Sequence, residues 1–415
     1  MSTDKSRLRV LLCWGYHRAG WIEPFERLRD RFEVSYLFYR TAEEEEACLT
    51  DAPRYYWKQF ASGQNVLDTV KPDRIVFMAL DGAWSIALNA AARRRQIPTL
   101  IVQHGHLESE SDAQRVGTVS ALAEGSPLPA LRFAARSFGL RNAADLPRLV
   151  RFMSDARRHS ARAAMPRHRF RARMPDRYVA LSPESAGAIQ RLDGANESQI
   201  ACIGIPEFDE LFRSVSPAAP ENGSVLLLDS PNAENRWNVT TMTVERKIGL
   251  LKELHAAASA WGSTLRVKLH PETYGAEWLP HLKHGAYLRD ADLVREFKEA
   301  SVCIGFDSTL MIPAVWLRPT ILLRHRPSRI ADLACETGAA VVLTRGQEVQ
   351  RDQLRSASQH YARSGVQRGD YIARLAFRSD GRAVDRLAEA LVCTSNATSR
   401  SPRAQRGTSA QRTLG

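Results

Sequence analysis

Arg266-Val267-Lys268-Leu269-His270-Pro271 and, farther along, Cys303-Ile304-Gly305-Phe306-Asp307-Ser308-Thr309 decide how this chain is read. Each is an apolar strand whose C-terminal end carries small polar or charged side chains just before a helix begins. The second runs through a helix into another strand, Pro319-Thr320-Ile321-Leu322-Leu323. In an open parallel α/β sheet ligands bind at that edge, because strand ends and helix N-termini converge there. Helix N-termini carry unpaired N–H groups and a partial positive charge, so phosphate is the natural ligand. The stretch predicts a protein that handles a nucleotide or another phosphorylated small molecule.

Outward from it, apolar strands alternate with 10–15-residue amphipathic stretches, the mark of βαβ units. The expected strands are Leu8–Trp14, Glu33–Tyr39, Arg74–Leu80, Thr99–Gln103, Arg177–Leu181 and Gln199–Ile205, then Ser224–Leu228 and the segments 264–269, 285–288, 301–306, 319–323 and 340–344. Helices are expected near Trp21–Arg31, Trp84–Arg95, Glu184–Leu192, Val239–Trp261 and Asp380–Val392. Asn238, Thr240 or Thr241 can cap the fourth of these. Residues 213–224 are polar, with two prolines and a glycine, and read as a linker. The predicted organisation is a first domain over 1–212 with a basic insert at 132–177, a linker at 213–223, a second domain over 224–393 and a disordered polar tail at 394–415.

The chain has 415 residues, 44% of them hydrophobic and 25% charged. That suits two domains of a soluble globular protein. It shows no apolar run of membrane-spanning length and no charged-then-apolar leader at its start. Six cysteines without CxxC spacing read as reduced residues of a cytosolic protein. Net charge is +12, and between Arg132 and Arg177 thirteen arginines stand against three aspartates. No nucleic-acid module accompanies this patch, so nucleic acid is not the expected partner. Leu131, Phe133, Phe138, Leu149, Val150, Phe152 and Met153 interleave with the arginines, which points to an anionic membrane surface.

Polar strand ends supply the candidate site. His104-Gly105 closes a strand of the first domain, and an imidazole at such a turn can serve as general base. Asp81-Gly82 closes its neighbour. That carboxylate can be a base or can cap the helix beginning near Ala83 or Trp84, and capping is the favoured reading. Lys268 and His270 alternate with Val267 and Leu269, so both point to one face, where they fit a pyrophosphate or a base–ribose contact. Asp307, Ser308 and Thr309 can cap the next helix, bind phosphate, or do both. The loop 229–238 is a further candidate for the phosphate-facing mouth. GxGxxG and GxxxxGK[ST] are absent, as are HExxH, CxxC and EF-hand patterns, so neither a dinucleotide cofactor nor a metal is expected.

Four motifs in order carry a resemblance: Ile97-Pro98-Thr99 to Gln103-His104-Gly105, then Ile203-Gly204-Ile205-Pro206-Glu207-Phe208-Asp209, then Lys268-Leu269-His270-Pro271, then Asp307-Ser308-Thr309 with Arg318-Pro319-Thr320-Ile321. Together they resemble a group of GT-B-fold glycosyltransferases comprising CDP-glycerol glycerophosphotransferases, capsule Kdo transferases and bacterial sialyl- and polysialyltransferases. Asp380-Gly381-Arg382-Ala383 and Arg386-Leu387-Ala388-Glu389 are similar to the closing helix of several members. The resemblance spans roughly residues 71–392. It implies two Rossmann-like domains facing across a cleft, the donor nucleotide held mainly by the second and the acceptor by the first. It maps nucleotide and phosphate contacts onto His270, Pro271, Ser308 and Thr309. His104 takes the place of the base proposed in the glycerophosphotransferases, and Asp81 that of the sialyltransferase carboxylate. Two departures stand out: Pro313-Ala314 replaces the usual Glu-Ala, and Gly204-Ile205-Pro206 replaces a glycine-asparagine-proline turn.

The function so implied is metal-independent transfer from a nucleotide-activated sugar or polyol donor, CMP- or CDP-linked, to a saccharide or lipid-linked acceptor. The product would be a bacterial surface polysaccharide such as capsule or lipopolysaccharide, made in the cytoplasm or on the inner face of the plasma membrane. A sugar-nucleotide epimerase of the same fold and a non-catalytic polyanion-binding protein are the alternatives.

Overall fold

A computed structural model describes the chain over residues 7–14, 19–39, 50–104, 127–139, 144–234, 242–282, 285–344 and 346–393. Two sheets, each wholly parallel, organise it. The first contains β1 (Leu8–Trp14), β2 (Phe32–Phe38), β3 (Arg54–Tyr56), β4 (Arg74–Phe77), β5 (Thr99–Val102), β6 (Arg177–Ala180) and β7 (Ile200–Cys202), in the order β3-β2-β1-β4-β5-β6-β7. The second contains β8 (Ser224–Leu228), β9 (Leu265–Lys268), β10 (Ala286–Leu288), β11 (Ala300–Gly305), β12 (Thr320–Arg324) and β13 (Val341–Thr344), in the order β10-β9-β8-β11-β12-β13. In each sheet the chain moves outward in one direction, returns to the middle and continues the other way. A reversal of that kind opens a crevice at the C-terminal ends of the two central strands. The crevices lie between β1 and β4 in the first sheet and between β8 and β11 in the second.

Helices cover both faces of parallel sheets, so the central strands are apolar on both sides. All five residues of β8 and all six of β11 are buried. Successive side chains still go to opposite layers: Val10, Leu12 and Trp14 join one core while Leu11 and Cys13 join another. Leu226 and Leu228 enter the first of these cores as well, and Val225 and Leu227 a third. One apolar cluster thus runs continuously from the first sheet into the second, through Ile203, Phe208, Tyr371 and Leu387. Each such large side chain contributes about 1.5–3 kcal/mol when fully buried.

β1 and β8 match their expected limits, and most other strands fall within three residues of theirs. The three-residue β3 is unanticipated; Arg-Tyr-Tyr is too short to show alternation. The helix expected from Val239 begins at Val244, and its N-cap is Thr243, whose side chain accepts the Arg246 N–H at 3.2 Å. Asn238, Thr240 and Thr241 lie outside the described residues, as do Gly105 and the tail 394–415. The cysteines among the described residues are free thiols; burial pushes Cys303 up to about 12.

Candidate functional site

At the crevice of the second sheet, β8 is followed by Asp229-Ser230 and β11 by Phe306-Asp307-Ser308. Leu265, Val267 and Leu269 are fully buried in one layer. Lys268 and His270 therefore share the other face, both partly exposed, as alternation predicted. The His270 N–H donates to Asp229 Oδ2 at 3.2 Å, and the Asp229 N–H donates to the Lys268 carbonyl at 3.0 Å. Those bonds lace the ends of β8 and β9 together. His270 Nδ1 accepts the Glu272 N–H at 3.2 Å, so in the neutral ring the proton sits on Nε2. Pro271 is exposed and opens the turn Pro271–Thr273.

In the loop after β11, Ser308 and Thr309 serve the start of the next helix, one of the roles their residue types allow. The Leu310 N–H donates to Ser308 Oγ at 3.4 Å, Met311 N–H to the Ser308 carbonyl at 2.9 Å, and Ile312 N–H to the Thr309 carbonyl at 3.1 Å. Pro313 has no N–H. The first turn of helix Met311–Leu317 thus keeps its donors within the chain. Pro313 itself is buried at the third helical position, where a missing N–H breaks no intrahelical bond. Asp307 Oδ2 pairs with Arg326 Nε at 2.5 Å, and the His325 ring lies 5.2 Å from that of Phe306. Both partners stand just past β12. Sequence reading missed them because Arg324-His325-Arg326 looks like any basic strand exit.

Behind this edge lies a second group that the sequence did not single out. Lys247, on helix Val244–Ala260, is 3% exposed. Its Nζ lies 3.0 Å from Asp229 Oδ1, 2.8 Å from Glu234 Oε2, 3.1 Å from the Ser230 carbonyl and 3.5 Å from Thr273 Oγ1. One lysine in an amphipathic helix gives no sign of such burial.

In the first sheet, His104 and Asp81 follow adjacent strands, β5 and β4. Gln103, one residue before His104, is buried; it donates to Ser185 Oγ at 2.9 Å and accepts the Leu181 N–H at 3.0 Å, which fixes the exit of β5 against β6. Asp81 does not cap the following helix, contrary to the favoured reading. The N-cap of Ala83–Arg94 is Gly82, without a side-chain cap bond. Asp81 keeps partial solvent exposure, yet the packing around it raises its carboxyl above the ordinary range, with Arg173 pulling the other way. A carboxyl lifted by its surroundings beside a strand end has the character of a proton acceptor.

Glu184, in the first turn of the helix that follows β6, pairs with Arg329 at 2.8 Å and Arg374 at 2.5 Å. Arg329 opens the helix after β12. The C-terminal edge of the first sheet therefore meets that of the second at this point.

The apolar residues of the basic segment mostly face the protein interior, not a membrane. Phe133, Phe138, Leu149 and Phe152 are 0–2% exposed and belong to the core under the first sheet, with Met153 packed against it. These apolar residues anchor helices Pro127–Phe138 and Asp145–His159 to the protein. Of the interleaved residues that suggested a membrane face, Val150 is the exposed one, at 48%. The arginines are another matter: Arg132, Arg136, Arg148, Arg151, Arg157 and Arg158 all lie exposed on the outer faces of the two helices.

No protein-family model matches the sequence, and no curated protein does. Solved structures do match. The glycotransferase of kitacinnamycin is similar over 93% of this chain and 99% of its own, at 13% identity and a TM-score of 0.53. With two parallel sheets of this strand order, that decides the fold. The fold is GT-B. Also similar are the wall teichoic acid polymerase TagF (12% identity, 93% of this chain and 88% of that one, TM-score 0.49) and the spinosyn forosaminyltransferase SpnP (14%, 93% and 100%, 0.49).

Within the GT-B frame, two of the motifs prove to be joints between domains. Asp209 is 2% exposed and accepts the N–H groups of Ala383 and Val384, both at 2.8 Å, capping the closing helix Ala383–Val392 from a distant segment. Arg386 of that helix returns a bond to the Ile203 carbonyl at 2.6 Å. Gly204 has φ +93°, and a Cβ there would meet Arg386, Ala376 and Ala383 at 3.2–3.3 Å. The Gly204-Ile205-Pro206 and Asp380-Gly381-Arg382 stretches thus dock the last helix onto the first sheet.

Proposed function

We propose that this GT-B chain is a glycosyl- or glycerophosphoryl-transferase that uses a nucleotide-activated donor, CMP- or CDP-linked, in building a bacterial surface polysaccharide. The observation that carries the reading is the gathering of Lys268, His270, Asp307, Ser308, Thr309 and Arg326 along the ends of β9, β11 and β12, beside the crevice where a parallel sheet receives a nucleotide. His104 and Asp81, which follow the adjacent strands β5 and β4 of the first sheet, are the residues we assign to the acceptor side. In the proposed step His104 takes the proton of an acceptor hydroxyl, with Asp81 the second candidate for that role. The resulting oxygen attacks the activated carbon or phosphorus of the donor. The bond to the nucleotide breaks, and its electron pair leaves with the phosphate. Lys268, His270, Ser308 and Thr309 hold that phosphate and offset its growing charge without a metal.

The outer arginine faces support a place for the enzyme on the inner face of the plasma membrane, where lipid-linked acceptors reside; each such cation near an anionic surface contributes about 1 kcal/mol. Among the described residues no helix is long and apolar enough to cross a membrane. The decisive experiment is calorimetry and donor hydrolysis with CMP-, CDP-, UDP- and GDP-linked donors. Binding and turnover of a cytidine donor are expected. Binding of none of the four would overturn the proposal and favour a GT-B protein that binds polyanions through its arginines.

A further inference from the structure

Lysine is almost never fully buried unless paired, because leaving water is unfavourable for its charge. Lys247 is buried and more than paired: its ammonium has four acceptors within 3.5 Å, from two separate stretches of chain. Asp229 and the Ser230 carbonyl follow β8, Glu234 belongs to the loop beyond them, and Thr273 belongs to the turn after β9. Trp278 closes the group, its ring centroid 5.3 Å from Nζ. A lysine serving the core alone would need one partner near its own helix. This one gathers the pieces of backbone that edge the nucleotide crevice. Asp229 extends the chain of contacts outward, since its second oxygen accepts the His270 N–H.

We infer that Lys247 is the positioning residue of the donor site. It holds the 229–234 loop and the His270-Pro271 turn at the separation a nucleotide diphosphate requires, and it offsets carboxylates that would otherwise repel that diphosphate. The inference rests on the donor reading given above. Lys247 touches no donor atom in this account; it acts through Asp229 and Thr273 on His270. The charge arithmetic supports a role beyond anchoring. One ammonium against Asp229 and Glu234 leaves a single formal negative charge behind the phosphate edge, whereas its loss would leave two. At short range in a partly desolvated site the second charge weighs heavily on an anionic ligand.

The test compares wild type, Lys247→Met and Glu234→Gln in the full chain. Lys247→Met keeps the length of the side chain and removes the charge. Glu234→Gln keeps volume and one acceptor, loosens the loop and removes one of the two carboxylates. CDP and CMP are titrated calorimetrically, and amide exchange is followed at residues 229–234 and 270–273. Lys247→Met is expected to weaken CDP at least about tenfold, consistent with loss of a charge-assisted bond network. Exchange should quicken in both segments and stay unchanged in β11, which a general loss of stability would not produce. Glu234→Gln, with one carboxylate fewer behind the phosphate edge, is expected to quicken exchange in residues 229–234 and to tighten CDP about threefold; unchanged exchange and affinity in that variant decide against the inference if Lys247→Met does not fold. Affinities within a factor of two of wild type in the folded variants overturn the inference alone. Failure of wild type to bind either nucleotide overturns the donor reading and this inference with it.

Discussion

His104 and His270 sit just past strand ends on opposite sheets. His104→Ala should slow transfer by about 10²–10⁴-fold, the usual weight of a general base, with little change in donor affinity. A wild-type rate in that variant would remove His104 from the mechanism. Asp81 makes a separate prediction through pH. Its raised carboxyl keeps a proton in the folded chain at pH values where the unfolded chain has lost it. Stability therefore falls as pH rises from the ordinary carboxylate value, about 3.9, through the raised one. Asp81→Asn removes this effect. Its thermal midpoint should exceed that of wild type at pH 7 and converge with it below about pH 4; a lower midpoint at pH 7 would show that the carboxylate is stabilised by its surroundings instead. Neither histidine nor Asp81 needed the structure to be noticed, since each ends an apolar run. The role of Asp81 as a cap did need it: Gly82 occupies the N-cap, one residue too far along for the carboxylate to serve.

Between elements, the approach of β11 to the helix after it depends on Gly305. A Cβ there would strike Met311 Sδ and lie 3.0 Å from the Leu228 carbonyl. Met311 is fully buried, so its side chain would have to shift within a packed core. Gly305→Ala should destabilise by about 1–3 kcal/mol in denaturant titration, as overpacking does, and should shift the 307–309 loop enough to weaken nucleotide binding. Wild-type stability would mean that the junction relaxes freely. The two basic helices, Pro127–Phe138 and Asp145–His159, carry their arginines outward. Charge reversal at Arg132, Arg136, Arg148 and Arg151 should abolish sedimentation with vesicles rich in anionic lipid, leave nucleotide binding intact, and show in wild type a dependence that salt screens. Equal sedimentation would separate the arginines from membranes. Spacing alone could not tell that Phe133 and Phe152 face a core: a helix apolar on one side and cationic on the other has the same pattern whether protein or lipid covers the apolar side.

Across the whole molecule, Asp209 ties the closing helix Ala383–Val392 to the segment after β7. It caps the closing helix from the segment after β7, while Glu184 meets Arg329 and Arg374 on the cleft side. The Glu184 pairs are partly exposed and contribute within about 1 kcal/mol each. Asp209 is buried with two backbone N–H groups, so Asp209→Ala should cost about 2–4 kcal/mol by leaving both unsatisfied. Thermal melts and amide exchange of residues 383–392 would measure it, and an unchanged exchange rate there would contradict the capping role. The parallel α/β class, the strand limits of β1 and β8 and the polar strand ends were all determined by the sequence itself. Buried strands and their exits are local patterns of period two followed by period 3.6, and local patterns are visible in one dimension. What only the tertiary structure decided are the relations between distant segments: Lys247 drawn under Asp229 and Thr273, Arg326 brought to Asp307, Asp209 set beneath Ala383. Each is a polar group whose partner lies many residues away, and nothing in the local alternation of apolar and polar residues records which partner the packing of the sheets will bring within reach.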